Sequence, residues 1–345
     1  NTGMAALRFN HLGRASLQAT ATSYFGKFYS SGQLRLRAIL AAGMPLYIEP
    51  AFTLHRWDYF SSFSTFFSEV QPSFVVMREA WGGINAALGL GNKGLLRLDA
   101  KGGESRDGYY QTEAFTGRDT ADVTYFDFMT VGLLATRNSL NRKQHPNAGE
   151  AICMSLRGHT GHERTIAGST QEEPGKEFVA ARQWLELKGR WDQYFLPRGK
   201  VRFGLLAEAA ISNMPAFQNY TASVIRSPAF APTPESRTYF MEQFRAPRYL
   251  AGGARAIVAV ARERFDLRLE GYVFQPYEPF VRGEGSAPET APAFSERYYM
   301  GAGSLIYQSP VGPVWLNVSY FDQQREPWGG SLNFGYIIFS QRSNE

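Results

Sequence analysis

Hydrophobic and polar residues alternate with a period of two through most of the chain, while spacing at i, i+3 and i+4 is hard to sustain anywhere, so the pattern predicts strands. In Leu95–Gly102 the two sets separate as Leu96, Leu98 and Ala100 against Arg97, Asp99 and Lys101. Around Phe265–Phe274 they are Phe265, Leu267, Leu269 and Val273 against Asp266, Arg268, Glu270 and Tyr272. Leu185, Leu187 and Trp191 oppose Glu186, Lys188, Arg190 and Asp192, and Val314, Leu316 and Val318 oppose Trp315, Asn317 and Ser319. One face of each strand is oily and the other polar. A soluble β-sandwich shares this alternation, so the connections must discriminate.

Connections at Asn92–Gly94, Pro197–Lys200, Arg262–Arg264 and Ser309–Gly312 are tight, whereas those at Arg164–Phe178, Asn213–Arg248 and Arg282–Glu296 are long. Short and long alternate, as in a transmembrane barrel with short periplasmic turns and long external loops. Aromatic residues near strand ends, including Trp57, Tyr59, Phe60, Tyr109, Tyr110, Trp191, Tyr194 and Phe195, suit two interfacial girdles. Sixteen strands are predicted, at Gly3–Asn10, Ala15–Phe25, Gln33–Ala42, Leu46–Trp57, a weak Ser61–Val70, Phe74–Leu90, Leu95–Gln111, Asp122–Asn138, Glu150–Glu163, Val179–Phe195, Val201–Ser212, Tyr249–Ala261, Phe265–Phe280, Arg297–Gln308, Pro313–Phe321 and Ser331–Ser340. The fold class is therefore all-β: one transmembrane antiparallel β-barrel domain over residues 1–345. An even strand count puts both termini on one side, the periplasmic one.

Composition narrows the alternatives. With 44% hydrophobic residues, 34 Gly and 18 Pro among 345, the chain is neither disordered, collagen-like nor a coiled coil. Apolar runs such as Ala256–Ala261 are bounded by charges, here Arg255 and Arg262, so a membrane-spanning helix is not expected. The single Cys153 excludes an internal disulfide and a Cys-based zinc cluster. A net charge of +5, dispersed along the chain, gives no nucleic-acid footprint. A start at Asn1, without Met or signal peptide, suggests a processed product or a fragment of something longer.

The closing segment YYMGAGSLIYQSPVGPVWLNVSYFDQQ, followed by GGSLNFGYIIF, resembles the last three strands of the outer-membrane surface-antigen superfamily that includes BamA and TamA, with the SPVGP turn at Ser309–Pro313 its most specific part. GMAALRFNHLGRASLQATATSYFG is similar to the first hairpin of that barrel. DYFS at Asp58–Ser61, DTADVTYFDF at Asp119–Phe128, RNSLNRKQHPNAG at Arg137–Gly149 and RLEGYVFQPY at Arg268–Tyr277 resemble the C-terminal barrel of patatin-like phospholipase family proteins from Bacteroidetes. The resemblance implies a long sixth external loop folded into the lumen, carrying an Arg in a VRGF-type motif. VRG at Val281–Gly283 matches literally but has three strands after it, where five are required. FRAPRYLAGG at Phe244–Gly253 has five, so Phe244, Arg245 and Gly252 are the lumen-loop candidates, with Ala246 standing where the family has Gly. Glu270, followed by Gly271 on a charged strand face, is the expected partner of Arg245, with Asp266 nearby, because a guanidinium can hold a carboxylate bidentately. The barrel seam is expected at Leu7 and Phe9 against Phe334 and Tyr336, and it looks weak because the first strand is short and the last contains Gly335.

A patatin-type hydrolase needs a G-x-S-x-G elbow and a catalytic Asp, and neither GAGSL at Gly301–Leu305 nor GGSL at Gly329–Leu332 supplies one. No catalytic residue and no cofactor are therefore expected in this chain, and the resemblance implies an N-terminal periplasmic patatin-like domain outside it. His159, His162 and Glu163 form an H-x-x-H-E cluster, but period two puts the histidines on opposite faces and no metal site is expected. Mixed-sign lumen charges, among them Arg157, Lys188, Arg190, Asp192, Arg202 and Glu208, favour an internal network over an ion-selective pore. Basic RNSLNRKQ at Arg137–Gln144 is placed at the periplasmic rim, facing anionic lipid or a periplasmic domain. The leading expectation is a Gram-negative outer-membrane barrel that anchors or translocates the hydrolase domain. The alternatives are an assembly factor of the BamA or TamA kind and a passive porin. Expected partners are outer-membrane lipids, the chain's own N-terminal domain, the barrel-assembly machinery during insertion and a second copy in a homodimer.

Overall fold

The computed structural model describes every residue except 1, 11–15, 41–44, 60–73, 113, 114, 172, 197, 198, 262, 263, 311, 325, 338, 341, 344 and 345. Its strands are β1 (Thr2–Asn10), β2 (Leu17–Gly26), β3 (Tyr29–Ile39), β4 (Leu46–Tyr59), β5 (Val75–Leu90), β6 (Gly94–Tyr109), β7 (Asp122–Asn138), β8 (Glu150–Ile166), β9 (Glu177–Phe195), β10 (Val201–Ser212), β11 (Tyr249–Ala261), β12 (Phe265–Pro276), β13 (Phe280–Arg282), β14 (Pro288–Thr290), β15 (Tyr298–Ser309), β16 (Gly312–Phe321) and β17 (Trp328–Phe334). All but β13 and β14 form one fifteen-stranded antiparallel sheet in chain order, and those two make a separate hairpin. One α-helix, α1 (Tyr220–Arg226), interrupts the β order among the described residues, and no helix there is long and apolar enough to cross a membrane.

The sheet is inside-out with respect to a soluble protein. On β6, β12 and β16 the apolar residues Leu98, Leu269 and Leu316 are 54%, 58% and 54% exposed, while Asp99, Arg268 and Asn317 are 1%, 4% and 1% exposed. A sandwich would bury the first set and solvate the second. The reverse holds where hydrocarbon lies outside and polar groups fill the interior, so this is an antiparallel barrel of the transmembrane type, as its alternation predicts.

Two expectations about the strands change. Ser61–Val70 lies outside the described residues, and β4 pairs directly with β5 from Leu46↔Leu88 to Tyr59↔Val75, which leaves no place in the sheet between them. Fifteen sheet strands put the start of β1 and the end of β17 at opposite rims, because each antiparallel strand reverses direction. The last strand ends at Phe334, short of Ser340, because Gly335 adopts φ 89°, a left-handed conformation that glycine takes at little cost. Gly335 N–H then donates to Pro313 O at 2.8 Å and the chain turns inward.

The expected aromatic girdles are also corrected. Trp57, Tyr59, Tyr109, Tyr110 and Tyr194 are buried, and most belong to the packed interior; Trp191 is half-buried and Phe195 exposed on the outward register of β9, and Phe60 lies outside the described residues. Strand parity decides this, since Trp57, Tyr59 and Tyr109 share the inward register of His55, Glu79 and Asp107.

Candidate functional site: an occupied lumen

Residues 213–248, between β10 and β11, fold into the barrel, and five sheet strands follow them, as the loop assignment requires. Counted along the described strands, this is the fifth connection on its rim. Asn219 caps α1, its Oδ1 accepting from Ala222 N at 2.9 Å, and Pro228 prevents continuation after Ser227. Every helix residue from Thr221 to Arg226 is buried. The wall holds the helix through polar contacts at known spacings: Thr221 Oγ1 donates to Gln111 Oε1 at 3.0 Å, Asn219 Nδ2 to Tyr109 OH at 2.7 Å, and Gln218 N to Glu163 Oε1 at 2.8 Å. Phe217 packs edge-on against Phe126 and Trp184.

Arg226 ties this segment to the wall. Its guanidinium donates to Asp107 and Ser105 of β6, with both members of the ion pair buried. Arg245, the residue expected in that role, braces the segment internally: Nη1 donates to the carbonyls of Ile225 and Ser227 at 3.2 and 3.4 Å, and the guanidinium lies 4.8 Å from the Phe240 ring. Glu270 is engaged instead by Arg268 on its own strand, by Tyr272 OH at 2.7 Å and by Arg255 Nε at 3.9 Å. Asp266 receives Arg142 at 2.7 Å and Asn147 Nδ2 at 3.2 Å, both from the β7–β8 connection. Phe244 is buried against Phe274 and Tyr298, and Gly252 is a strand residue of β11, opposite Ala207 and Val273.

Sequence reasoning missed Arg226 because it searched for a motif; the usable signal was a capped turn, Asn219 to the Ser-Pro at 227–228, ending on a basic residue. At the far side of the segment Trp315 Nε1 donates to Glu235, whose carboxyl is held above the usual range by burial against that bond. Wall charges form the mixed network expected: Arg157–Asp99 at 3.1 Å, Lys188–Glu208 at 3.0 Å and Arg255–Asp192 at 2.6 Å. His159 faces inward and His162 outward, as period two requires.

A second piece of chain also enters the lumen. After Gly335, Phe339 packs on Phe28 and Tyr29, with ring centroids at 6.0 and 4.9 Å. Ser340 N donates to Tyr29 OH at 2.8 Å, and Ser343 N to Glu79 Oε2 at 3.1 Å. Lys101 Nζ donates to the carbonyls of Arg342 and Ser343 at 3.1 and 3.2 Å. A cavity of about 310 Å³ remains beneath the loop, lined by His145, Tyr194, Glu235, Arg255, Arg268 and Glu270 among others.

The seam residues Leu7 and Phe9 of β1, Phe334 of β17 and Tyr336 beyond it are all exposed. Among the described residues β1 pairs with β2 and β17 with β16, and no pairing joins β1 to β17.

A fifteen-stranded inside-out sheet with an occupied lumen defines a plugged membrane barrel. No family model matches the chain, and no curated protein does. Among solved structures it is similar to BamA from Haemophilus ducreyi lacking POTRA domains 1–3, with a TM-score of 0.58 and 9% identity, over 96% of this chain and 66% of that one. CdiB from Acinetobacter baumannii is matched at a TM-score of 0.47 and 10% identity, over 96% of this chain and 55% of that one. The chain thus spans just under two thirds of the BamA chain it matches, and the likeness to BamA is one of fold.

Proposed function

We propose that the chain is the outer-membrane barrel of a larger protein, with its long connections outside and its tight turns in the periplasm, and that it anchors or translocates an attached N-terminal patatin-like lipid hydrolase domain. The observation that carries the scaffold part is the lumen: residues 213–248, with Phe339, Ser340 and Ser343, fill it and are tied to the wall by buried polar contacts. A filled barrel with an apolar outer face suits holding something at the membrane better than passing small solutes. The patatin-like part rests on the segments at Asp119–Phe128, Arg137–Gly149 and Arg268–Tyr277, and covalent chemistry is assigned to the attached domain. The test is fractionation of the full-length protein with and without the barrel, combined with heat-modifiable gel mobility of the barrel alone. Loss of the hydrolase domain from the outer-membrane fraction when the barrel is deleted supports anchoring, and a barrel that is monodisperse without detergent overturns the reading.

A second reading, an assembly factor for other outer-membrane proteins, is favoured by the absence of β1–β17 pairing among the described residues and by the BamA-type fold. Its test is the insertion rate of a client barrel into vesicles containing the full-length protein. No acceleration over empty vesicles rejects it.

A further inference from the structure

Four arginines meet on the outer face near the long-connection rim. In register, Arg56 of β4 lies opposite Arg78 of β5, which lies opposite Arg106 of β6; the row continues through Tyr125 of β7 to Arg164 of β8. All point outward, since their strand neighbours His55, Glu79, Asp107, Thr124 and Glu163 are buried. The row ends on β9, where Val179 faces Arg164, so this is one flank of the barrel and not a general basic collar.

Like charges directly opposite on neighbouring strands, with Cβ atoms about 5 Å apart, destabilise a sheet. Their neutralisation here is incomplete. Arg56 pairs with Asp58 at 2.8 Å, and Arg164 lies 4.4 Å from the Tyr125 ring and 3.8 Å from Glu177. Arg106 lies 5.6 Å from the same ring, and among the described residues neither Arg78 nor Arg106 has a carboxylate partner. The three arginines of β4–β6 also line an open groove of about 550 Å³, together with Leu54, Ala80 and Glu104.

The neighbouring rows say what kind of ligand fits. One step nearer the barrel middle, Glu104 faces Asp127, which faces His162; the next step is Gly102, Met129 and Thr160, and below that Ala100, Val131 and Gly158 lead into the apolar belt. At about 3.4 Å per residue and a tilt near 40°, the arginine row stands roughly 10 Å above the Met129 row. Two strand spacings put Arg56 and Arg106 about 10 Å apart. We infer that this flank binds a doubly phosphorylated saccharolipid of the adjacent leaflet. Its phosphates lie on the planar guanidiniums of Arg56, Arg78 and Arg106, its sugar hydroxyls donate to Glu104 and Asp127, and its acyl chains run down past Met129 and Val131. The sugar requirement follows from the acidic row, which sets hydrogen-bond acceptors one step below the guanidiniums, where a ring that carries the phosphates also presents its hydroxyls.

The inference rests on the membrane reading proposed above and extends it to a site. The test is native mass spectrometry of the detergent-folded chain titrated with diphosphoryl lipid A, with monophosphoryl lipid A, phosphatidylglycerol and inorganic phosphate as separate arms. Binding of the diphosphoryl lipid is expected to exceed each other arm at least tenfold, to fall at least tenfold in the Arg78→Gln/Arg106→Gln double variant, and to be unchanged in Lys93→Gln, in the exposed β5–β6 turn at the opposite rim. Equal binding by parent and double variant, or equal binding in all lipid arms, overturns the site. A heat-modifiable compact band in both proteins shows that the fold survives; its absence from the parent removes the membrane reading itself, and the site with it.

Discussion

Replacing Asp107 by Asn separates the anchoring of the lumen segment from the folding of the barrel. Asp107 and Arg226 have side-chain exposures of 2% and 8%, so the variant leaves a guanidinium buried without its counter-charge. Breaking a buried pair from one side costs about 3–5 kcal/mol. At about 1.4 kcal/mol per factor of ten, the undocked population of α1 rises by two to nearly four orders of magnitude. The contacts of Gln218, Asn219 and Thr221 to the wall remain, so the opening is local and the barrel stays compact on gels. Limited proteolysis in detergent reads this population, because nicking within residues 213–248 tracks the open fraction when opening is fast. The informative control is Asp107→Leu with Arg226→Met, which removes both charges and is expected to restore resistance, since apolar replacement of a buried pair is often neutral or stabilising. A single variant nicked at the parental rate, or a double variant as labile as the single one, would show that this pair does not hold the segment.

Other consequences can be checked separately. Leu269→Arg puts a cation on the apolar outer face of β12 and is expected to cost ~2–4 kcal/mol in bilayer vesicles and much less in micelles; a urea midpoint unchanged in vesicles refutes the lipid-facing assignment. His145, in the β7–β8 connection against Trp315, is held down to about 3 by burial and by the nearby Arg268. Its folded value lies below the ordinary 6.5, so its contribution is complete above that pH and is lost as the pH falls from 6.5 toward 3, by roughly 2–3 kcal/mol at pH 4.5. Denaturant unfolding at pH 7 and 4.5 should show a stability loss smaller by that amount in His145→Gln than in the parent, and an equal loss in both refutes the assignment. Gly335→Val forces a β-branched residue into φ 89°, at about 1–3 kcal/mol. In a Cys153→Ser background, maleimide labelling of Ser340→Cys should then rise roughly tenfold, and unaltered labelling would mean that the inward turn does not depend on Gly335.

The faces of the strands were legible because a bilayer outside and polar groups inside impose opposite demands on adjacent residues. Leu267, Leu269, Asp266 and Arg268 therefore declare their sides by parity alone. The loop that enters the lumen was legible from its length and from the five strands that follow it. Its anchor was not, because Arg226 and Arg245 are equally basic and only the path of the segment brings the first, and not the second, to the carboxylate on β6. The aromatic residues misled for a related reason: a Trp or Tyr suits a membrane interface and a packed interior equally, and Trp57 and Tyr109 sit at inward positions. The arginine row on β4–β8 is invisible in sequence, since residues 56, 78, 106 and 164 become neighbours only once the register of five strands is fixed.

The inward turn at Gly335 also bears on the order of assembly. Ser340 hydrogen-bonds Tyr29 and Ser31 across 311 and 309 residues of chain, and Ser343 reaches Glu79 across 264. Contacts of such sequence separation form late, after the intervening strands have brought their ends together. The socket made by Tyr29, Glu79 and Lys101 is thus synthesised well before the segment that fills it. Until Ser343 arrives, Glu79 keeps its contact with His55 Nε2 at 2.8 Å and lacks only the bonds from the late segment. The segment after Gly335 thus acts as a latch, and its docking is the step that occupies this part of the lumen.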